Sequence, residues 1–393
     1  MNVPTSPVNR VCLKGVGWHL PASTLTNEQL VRRGAAPSAD WIFEKTGIRE
    51  RRIAEPGQAM SDMVIPPAAA AIQDAGLGPT DIDAVLVAGD AHDSGGVRLT
   101  SAIVADAIGI SAAQCIDLRV GCPASICGLH VGTALVAAGQ ATHALVCSGE
   151  INTRSLDFSS KKAIFFGDGG AAVVLSRKPG FAAVEQTFYA GTGRNSEILE
   201  IPAGGSRETI TEASLKEGRH LLHMDGGAVL RYGTSKLSEV VPILAEAAGL
   251  SLPQLDWLVP HQANLRIIQA AAANLGIPLS KFILNIERVG NTAGPSCLIA
   301  LAQAICAGRI LPGQTVINCG IWGRTGLGGA KSFVSFQMKA NLKPQAGLPE
   351  PEFHAVFSHY TWHQRSTHSF RPVFMGLNRC NLCPRYELTG SYM

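Results

Sequence analysis

Short β-branched runs alternate with alanine-rich stretches along most of this chain, and that alternation constrains its fold more than any other feature. Ala84 to Ala88 (AVLVA), Cys115 to Leu118, Ala144 to Cys147, Ala171 to Leu175, Trp257 to Val259, Thr315 to Cys319 and Ser332 to Phe336 read as buried strands. Between them, Thr100 to Ile108, Pro123 to Ala138, Leu237 to Ala248, Asn264 to Leu275 and Pro295 to Ala307 read as helices, with Gly276 closing the fourth. Such a pattern predicts an α/β class in which helices cover a sheet. With 46% apolar and only 16% charged residues, the 393-residue chain has the material for a large core.

Composition also removes several function classes. A net charge of +3 gives no electrostatic footprint for a nucleic acid. No run of 18 apolar residues predicts a membrane-spanning helix, and the start MNVPTSPVNR lacks the layout of a secretory signal. The ten cysteines are scattered, with only Cys380 and Cys383 forming a CxxC pair, so a reduced, cytoplasmic setting is expected.

Two segments share a layout. IDLRVGCPASICGL runs strand, loop, Cys122, helix; LDWLVPHQANLRII runs strand, loop, His261, helix. Any α/β chain shows strand–loop–helix repeatedly, and a duplicated fold offering one catalytic loop per half would show it too; both readings stand at this point. Cys122 sits beside Pro123, which suits a first helical position, so the helix dipole and free N–H groups are expected to lower the thiol pKa. A buried structural cysteine is the competing reading. His261 follows the strand WLVP and could simply pack at a helix start. Asn291, in the Gly-bounded loop VGNTAGPS, could serve turn geometry or capping. Taken together, three chemically capable residues on loops that each lead into a helix make a stronger set than any one of them.

The texture changes from about residue 339. Residues 340–393 hold His354, His359, His363 and His368 with the lone CxxC, and show no sustained period. Thiolate and imidazole suit zinc, but the spacing matches no zinc pattern, and an irregular appended tail is the expectation.

From about Val11 to Phe336 the chain resembles the β-ketoacyl-acyl-carrier-protein synthase III family of the thiolase fold. The resemblance rests on WIFEKTGIRERR (41–52), Cys122 after IDLRVG, FFGDGGAAVV (165–174), LDWLVPHQANLRII (255–268), VGNTAGPS (289–296) and a Gly-rich closing segment. It implies a thiolase-like duplicated α/β fold: two similar halves in a layered α-β-α-β-α arrangement, with a C-terminal extension. The nucleophile half would span 1–180, the half bearing His and Asn 181–338, and the tail 339–393.

The resemblance further implies that Cys122 takes an acyl group from a coenzyme A thioester, and that His261 and Asn291 serve decarboxylative condensation with malonyl-acyl-carrier protein. No metal or organic cofactor is implied, and a homodimer is. The acyl oxyanion would face backbone N–H groups of Cys122 and Gly323. The family's three glycines are here Trp322, Gly323 and Arg324, with Leu327 replacing a Trp. At the coenzyme A site Trp41 matches, whereas Lys45 and Ser160 stand where arginines are expected, with Lys161 and Lys162 nearby. Lysine supplies charge but no flat stacking plane. Arg266 would face the acidic carrier protein. The segment HDSGGVRL (92–99) places Val97 or Arg98 where the partner subunit closes the tunnel. Three functions fit: an enzyme starting fatty-acid synthesis, a secondary-metabolism relative handling an unusual acyl or aroyl group, and a non-catalytic partner subunit.

Overall fold

In the computed structural model, which describes residues 11–190, 198–311, 313–321 and 331–337, the seven expected strands pair with two that were not expected, Val11–His19 and Ala182–Ala190, into one nine-stranded sheet. They are β1 (Val11–His19), β2 (Ala84–Ala88), β3 (Gln114–Leu118), β4 (His143–Ile151), β5 (Asp168–Ser176), β6 (Ala182–Ala190), β7 (Trp257–Pro260), β8 (Thr315–Ile321) and β9 (Lys331–Gln337). They lie in the order β7-β8-β9-β6-β1-β5-β4-β2-β3. The Trp322–Arg324 loop, Leu327, Cys380, Cys383 and the 339–393 tail fall outside the described residues.

The connectivity is the same in both directions from the middle. In the first half β3, β2 and β4 are parallel, then β5 and β1 follow antiparallel. In the second, a parallel bridge from Phe282 to Leu258 stands in for the edge strand, β7 and β8 are parallel, and β9 and β6 follow antiparallel. The halves meet where Val11, Cys12 and Leu13 of β1 pair antiparallel with Val184, Ala183 and Ala182 of β6. The 180/181 division falls in the turn between β5 and β6. This topology matches the loops differently from the sequence layout. The Cys122 loop corresponds to the Asn291 loop, each leading from an edge position into a helix. His261, directly after β7, corresponds to Gly89, directly after β2. Strand–loop–helix strings look alike in sequence, and only pairing separates edge strand from inner strand.

Alternation along the strands sets the layers. The covering helices are α1 (Met60–Asp74), α2 (Thr100–Ile108), α3 (Ala124–Ala137), α4 (Gly226–Ala247), α5 (Leu265–Leu275) and α6 (Ser296–Cys306). Val85, Val87, Leu145 and Val174 pack outward on Met60, Val64 and Val104 of α1 and α2. Leu86, Val146, Val173, Val259 and Val316 pack inward with Ile126 and Leu129 of α3 and Leu298 and Leu301 of α6. Leu258 and Ile317 pack outward on Leu237, Val241 and Ile268 of α4 and α5. Helices α3 and α6 touch strands of both halves, so they are the middle layer of an α-β-α-β-α stack. Each buried Val, Leu or Ile contributes about 1.5–3 kcal/mol to holding these layers.

Several elements are absent from the sequence pattern or longer than it. Helix α1 contains Pro66 and Pro67 in its interior, residues that ordinarily argue against a helix. Strand β1 carries Gly15 and Gly17, which weaken a strand pattern; a Cβ on either would meet the backbone oxygen of Ala71 or Pro67 at 2.1 and 2.2 Å. Those glycines let α1 lie directly on the sheet. Helix α4 starts at Gly226, with the Asp225 side chain accepting from the Ala228 N–H at 3.0 Å. Among the described residues no helix is long and apolar enough to cross a membrane.

Candidate active site

Cys122 sits one residue before the cap of α3. Pro123 is the capping residue (φ −82°, ψ 16°) and the helix begins at Ala124, one position later than the sequence suggests. Gly121, with φ 71°, turns the chain, and its carbonyl accepts from the Ala124 N–H at 2.9 Å. The protein closes round the sulfur while part of the residue stays open to a pocket. Contrary to the sequence expectation, the thiol is pushed up from its ordinary range. Burial is the largest cause, Asp90 and Glu150 add to it, and the residue's own backbone N–H opposes it least. Desolvation and the two carboxyls outweigh that N–H.

His261 is buried at the end of β7. Its backbone N–H donates to the Cys319 carbonyl at 2.8 Å, which fixes the chain against β8. Ring Nδ1 lies 2.5 Å from Oγ of Ser296, the first residue of α6. That oxygen also accepts from the Gln262 N–H at 3.3 Å. When its own hydrogen is donated to Nδ1, the ring proton sits on Nε2. Burial lowers the His261 pKa to about 4, so the ring is neutral at physiological pH.

Asn291 is held by its backbone: its N–H donates to the Phe165 carbonyl, and its carbonyl accepts from Gly167, both at 2.9 Å. Its side-chain Oδ1 accepts from the Ala293 N–H at 2.8 Å. Ala293 has φ 53°, the left-handed region that side chains disfavour by roughly 1–2 kcal/mol. With Oδ1 committed, the amide NH2 is the end left for a ligand.

The three side chains line one pocket with Phe165, Phe166, Met224, Leu230 and Ile267. It encloses about 790 Å3 including its open mouth. Two preorganised donors, a neutral imidazole and an amide, thus share an apolar enclosure with a thiol. Such an arrangement suits acyl transfer to sulfur and stabilisation of a developing oxyanion.

The other expected residues lie around this pocket rather than in it. Trp41 is half-buried on the helix Ala39–Thr46, and Lys45 is exposed on its last turn. The Lys45 carbonyl accepts from Asn264 Nδ2 at 3.2 Å, and Asn264 lines the pocket. Arg266 is exposed and donates through Nε to the Glu44 carbonyl at 2.6 Å. Lys161 places Nζ 6.0 Å from the Trp41 ring centroid, a cation–π distance, beside Ser160. Gly323 lies outside the described residues. Ser296 had no signal beyond its place in VGNTAGPS. Glu150 and Asp90 had none, since strand-end carboxylates far apart in sequence reveal nothing until the strands pair.

Comparison with known proteins agrees with this geometry. The family described as 3-oxoacyl-[acyl-carrier-protein] synthase III matches residues 116–190, and its C-terminal region matches 245–329. The chain is 34% identical over 311 residues to a β-ketoacyl-[acyl-carrier-protein] synthase III of Symbiobacterium thermophilum, covering 79% of this chain and 94% of that one. It is 32% identical over 305 residues to the protein of that name from Caldanaerobacter subterraneus, covering 77% and 92%. The crystal structure of 3-oxoacyl-(acyl carrier protein) synthase III from Pseudomonas aeruginosa superposes with a TM-score of 0.76 at 28% identity, covering 85% of this chain and all of that one. The chain belongs to the β-ketoacyl-[acyl-carrier-protein] synthase III family of thiolase-fold condensing acyltransferases.

Proposed function

We propose that the pocket loads an acyl group from a coenzyme A thioester onto Cys122 and then condenses it with malonyl-acyl-carrier protein. The observation that carries this reading is the convergence of Cys122, His261 and Asn291, from three loops and both halves, on one pocket. In the first step the Cys122 sulfur attacks the thioester carbonyl, the bond to coenzyme A breaks, and the thiol proton leaves with coenzyme A. Backbone N–H groups of Cys122 and Gly323 are the proposed donors to the oxyanion.

In the second step the malonyl thioester oxygen accepts from His261 Nε2 and the Asn291 amide. Loss of carbon dioxide puts enolate charge on that oxygen, where two fixed donors in an apolar site stabilise it. The enolate carbon attacks the acyl-Cys122 carbonyl, the sulfur departs and regains a proton, and a 3-oxoacyl-acyl-carrier protein is released. These steps draw on the chain, its two substrates and one proton from solvent, which the departing Cys122 sulfur takes up. Trp41 and Lys45 are the proposed coenzyme A contacts, and exposed Arg266 is the proposed contact with an acidic carrier protein. Exposed Val97 in the 92–99 loop supports a homodimer through that face.

Intact-mass measurement after incubation with a panel of acyl-coenzyme A thioesters tests this function. An adduct of the acyl mass on Cys122, discharged by malonyl-acyl-carrier protein with release of carbon dioxide, is expected. No adduct with any thioester would overturn it and favour a non-catalytic subunit.

A further inference from the structure

Arg51 is the largest wholly buried side chain among the described residues, and none of the proposed steps uses it. It sits in the short strand Glu50–Arg52, opposite Leu25 of the strand Thr24–Thr26. Its Nη1 donates to the Leu25 carbonyl at 3.0 Å and to Asn27 Oδ1 at 2.9 Å, and its Nη2 donates to the Ile164 carbonyl at 2.8 Å. Ile164 leads directly into Phe165 and Phe166, which line the pocket, and the Phe165 carbonyl accepts from the Asn291 N–H. The stem of Arg51 backs the same loops. A Cβ on Gly290 would stand 2.7 Å from the Arg51 Cβ, and one on Gly167 would stand 3.1 Å from it. Gly290, with φ 74°, turns the chain into Asn291, and the Gly167 N–H donates to the Asn291 carbonyl. The neighbouring backbone is tied in too, since the Arg49 N–H donates to the Glu287 carbonyl at 2.8 Å.

We propose that Arg51 is a positioning residue for Asn291: its guanidinium fixes the 164–167 segment and its stem backs the Gly290 turn, so that the Asn291 amide meets the thioester oxygen at one place. This rests on the reading of Asn291 as an oxyanion donor. Backbone bonds to Phe165 and Gly167 hold Asn291, so its amide is placed no better than that segment is. Arg51 secures the segment at Ile164, and Asn152 Nδ2 secures it at the Gly167 carbonyl, at 2.7 Å. Arginine suits the first of these posts because its rigid fork holds several acceptors at once, whereas a lysine ammonium is a point charge on a flexible stem. Burial pulls the guanidinium down to about 10, which leaves it charged at physiological pH, and a charged donor makes the stronger hydrogen bonds. An apolar side chain would fill the same space without the cost of burying a cation. The fork therefore serves the carbonyls it holds. Oxyanion stabilisation depends on such placement, since a displacement of about 1 Å costs roughly a hundredfold in rate.

A double-mutant cycle on carbon dioxide release from malonyl-acyl-carrier protein, run on the full chain, tests the proposal. Arg51→Lys keeps the charge but not the fork, and alone it should lower release by about ten- to a hundredfold. In the Asn291→Ala background the same change should cost less than about threefold, because the amide it positions is gone. Acyl loading of Cys122 at saturating thioester should stay within about threefold of the wild type. Release unchanged in Arg51→Lys, release reduced by the same factor in both backgrounds, or loading reduced as much as release would each overturn the proposal. Equal reduction in both backgrounds is what a merely structural role predicts. Should Arg51→Lys fail to fold, Asn27→Ala removes one acceptor and leaves the guanidinium in place. It then decides through the same cycle, with a drop of about three- to tenfold expected only where Asn291 is present. Failure of the donor assignment shows separately, as undiminished release in Asn291→Ala alone, and overturns both readings.

Discussion

Ser296 Oγ lies 2.5 Å from Nδ1 of His261 although 35 positions separate them, because α6 begins where β7 ends. The hydroxyl contact orients the ring. Ser296→Ala should lower carbon dioxide release from malonyl-acyl-carrier protein by about ten- to a hundredfold, the worth of roughly 1–3 kcal/mol for an orienting hydrogen bond. Acyl loading of Cys122 should change little. Equal loss in both half-reactions, measured separately, would contradict an orienting role.

The two donors themselves should cost more. His261→Ala and Asn291→Ala should each slow decarboxylation by about two to three orders of magnitude, corresponding to roughly 2.7–4 kcal/mol per oxyanion donor. Loading from an acyl-coenzyme A thioester, followed by intact mass, should fall far less in either variant.

The acyl label should map to one peptide. After incubation with a reactive thioester, digestion should place the adduct on Cys122, and Cys122→Ser should abolish it. An adduct on Cys115 or Cys127 would contradict the assignment. Neither of those residues lines the pocket that Cys122 shares with His261 and Asn291.

Stability should fall on acidification through His261. Its folded pKa of about 4 lies below the ordinary 6.5, so the unfolded chain takes up a proton that the folded protein refuses. The loss begins as pH drops through 6.5 and is complete near 4, amounting to about 3 kcal/mol. A His261→Gln variant should lose less stability than the wild type between pH 7 and 4.5 in urea titrations. Parallel curves for the two proteins would show that the ring is not held neutral.

Much of this was legible in the chain, for identifiable reasons. AVLVA at 84–88 and the helix at 100–108 show their period without interruption, and both stand where the sequence puts them. Helix α1 was hidden by Pro66–Pro67 and β1 by its glycines, since those residues serve close helix–sheet contact rather than local propensity. Cys122, His261 and Asn291 were visible as loop residues before helices, and the structure brings them to one pocket. The state of the thiol was not visible. A helix start is a local feature, whereas Glu150 and Asp90 reach the sulfur only through the pairing of β2 with β4. The correspondence of loops was misread for a related reason, because order along the chain does not say which strand lies at an edge.

The antiparallel seam between β1 and β6 has a consequence for biosynthesis. Cys122 belongs to the part of the chain that leaves the ribosome first, whereas His261 and Asn291 follow well over a hundred residues later. At the usual 5–20 residues per second that gap is roughly ten to thirty seconds. During it, α3 lacks its neighbour α6 and the inward faces of β2, β4 and β5 lack half their cover. Under the proposed mechanism, a nascent chain therefore displays its nucleophile before it owns either donor, and a polypeptide released before Asn291 should complete no turnover.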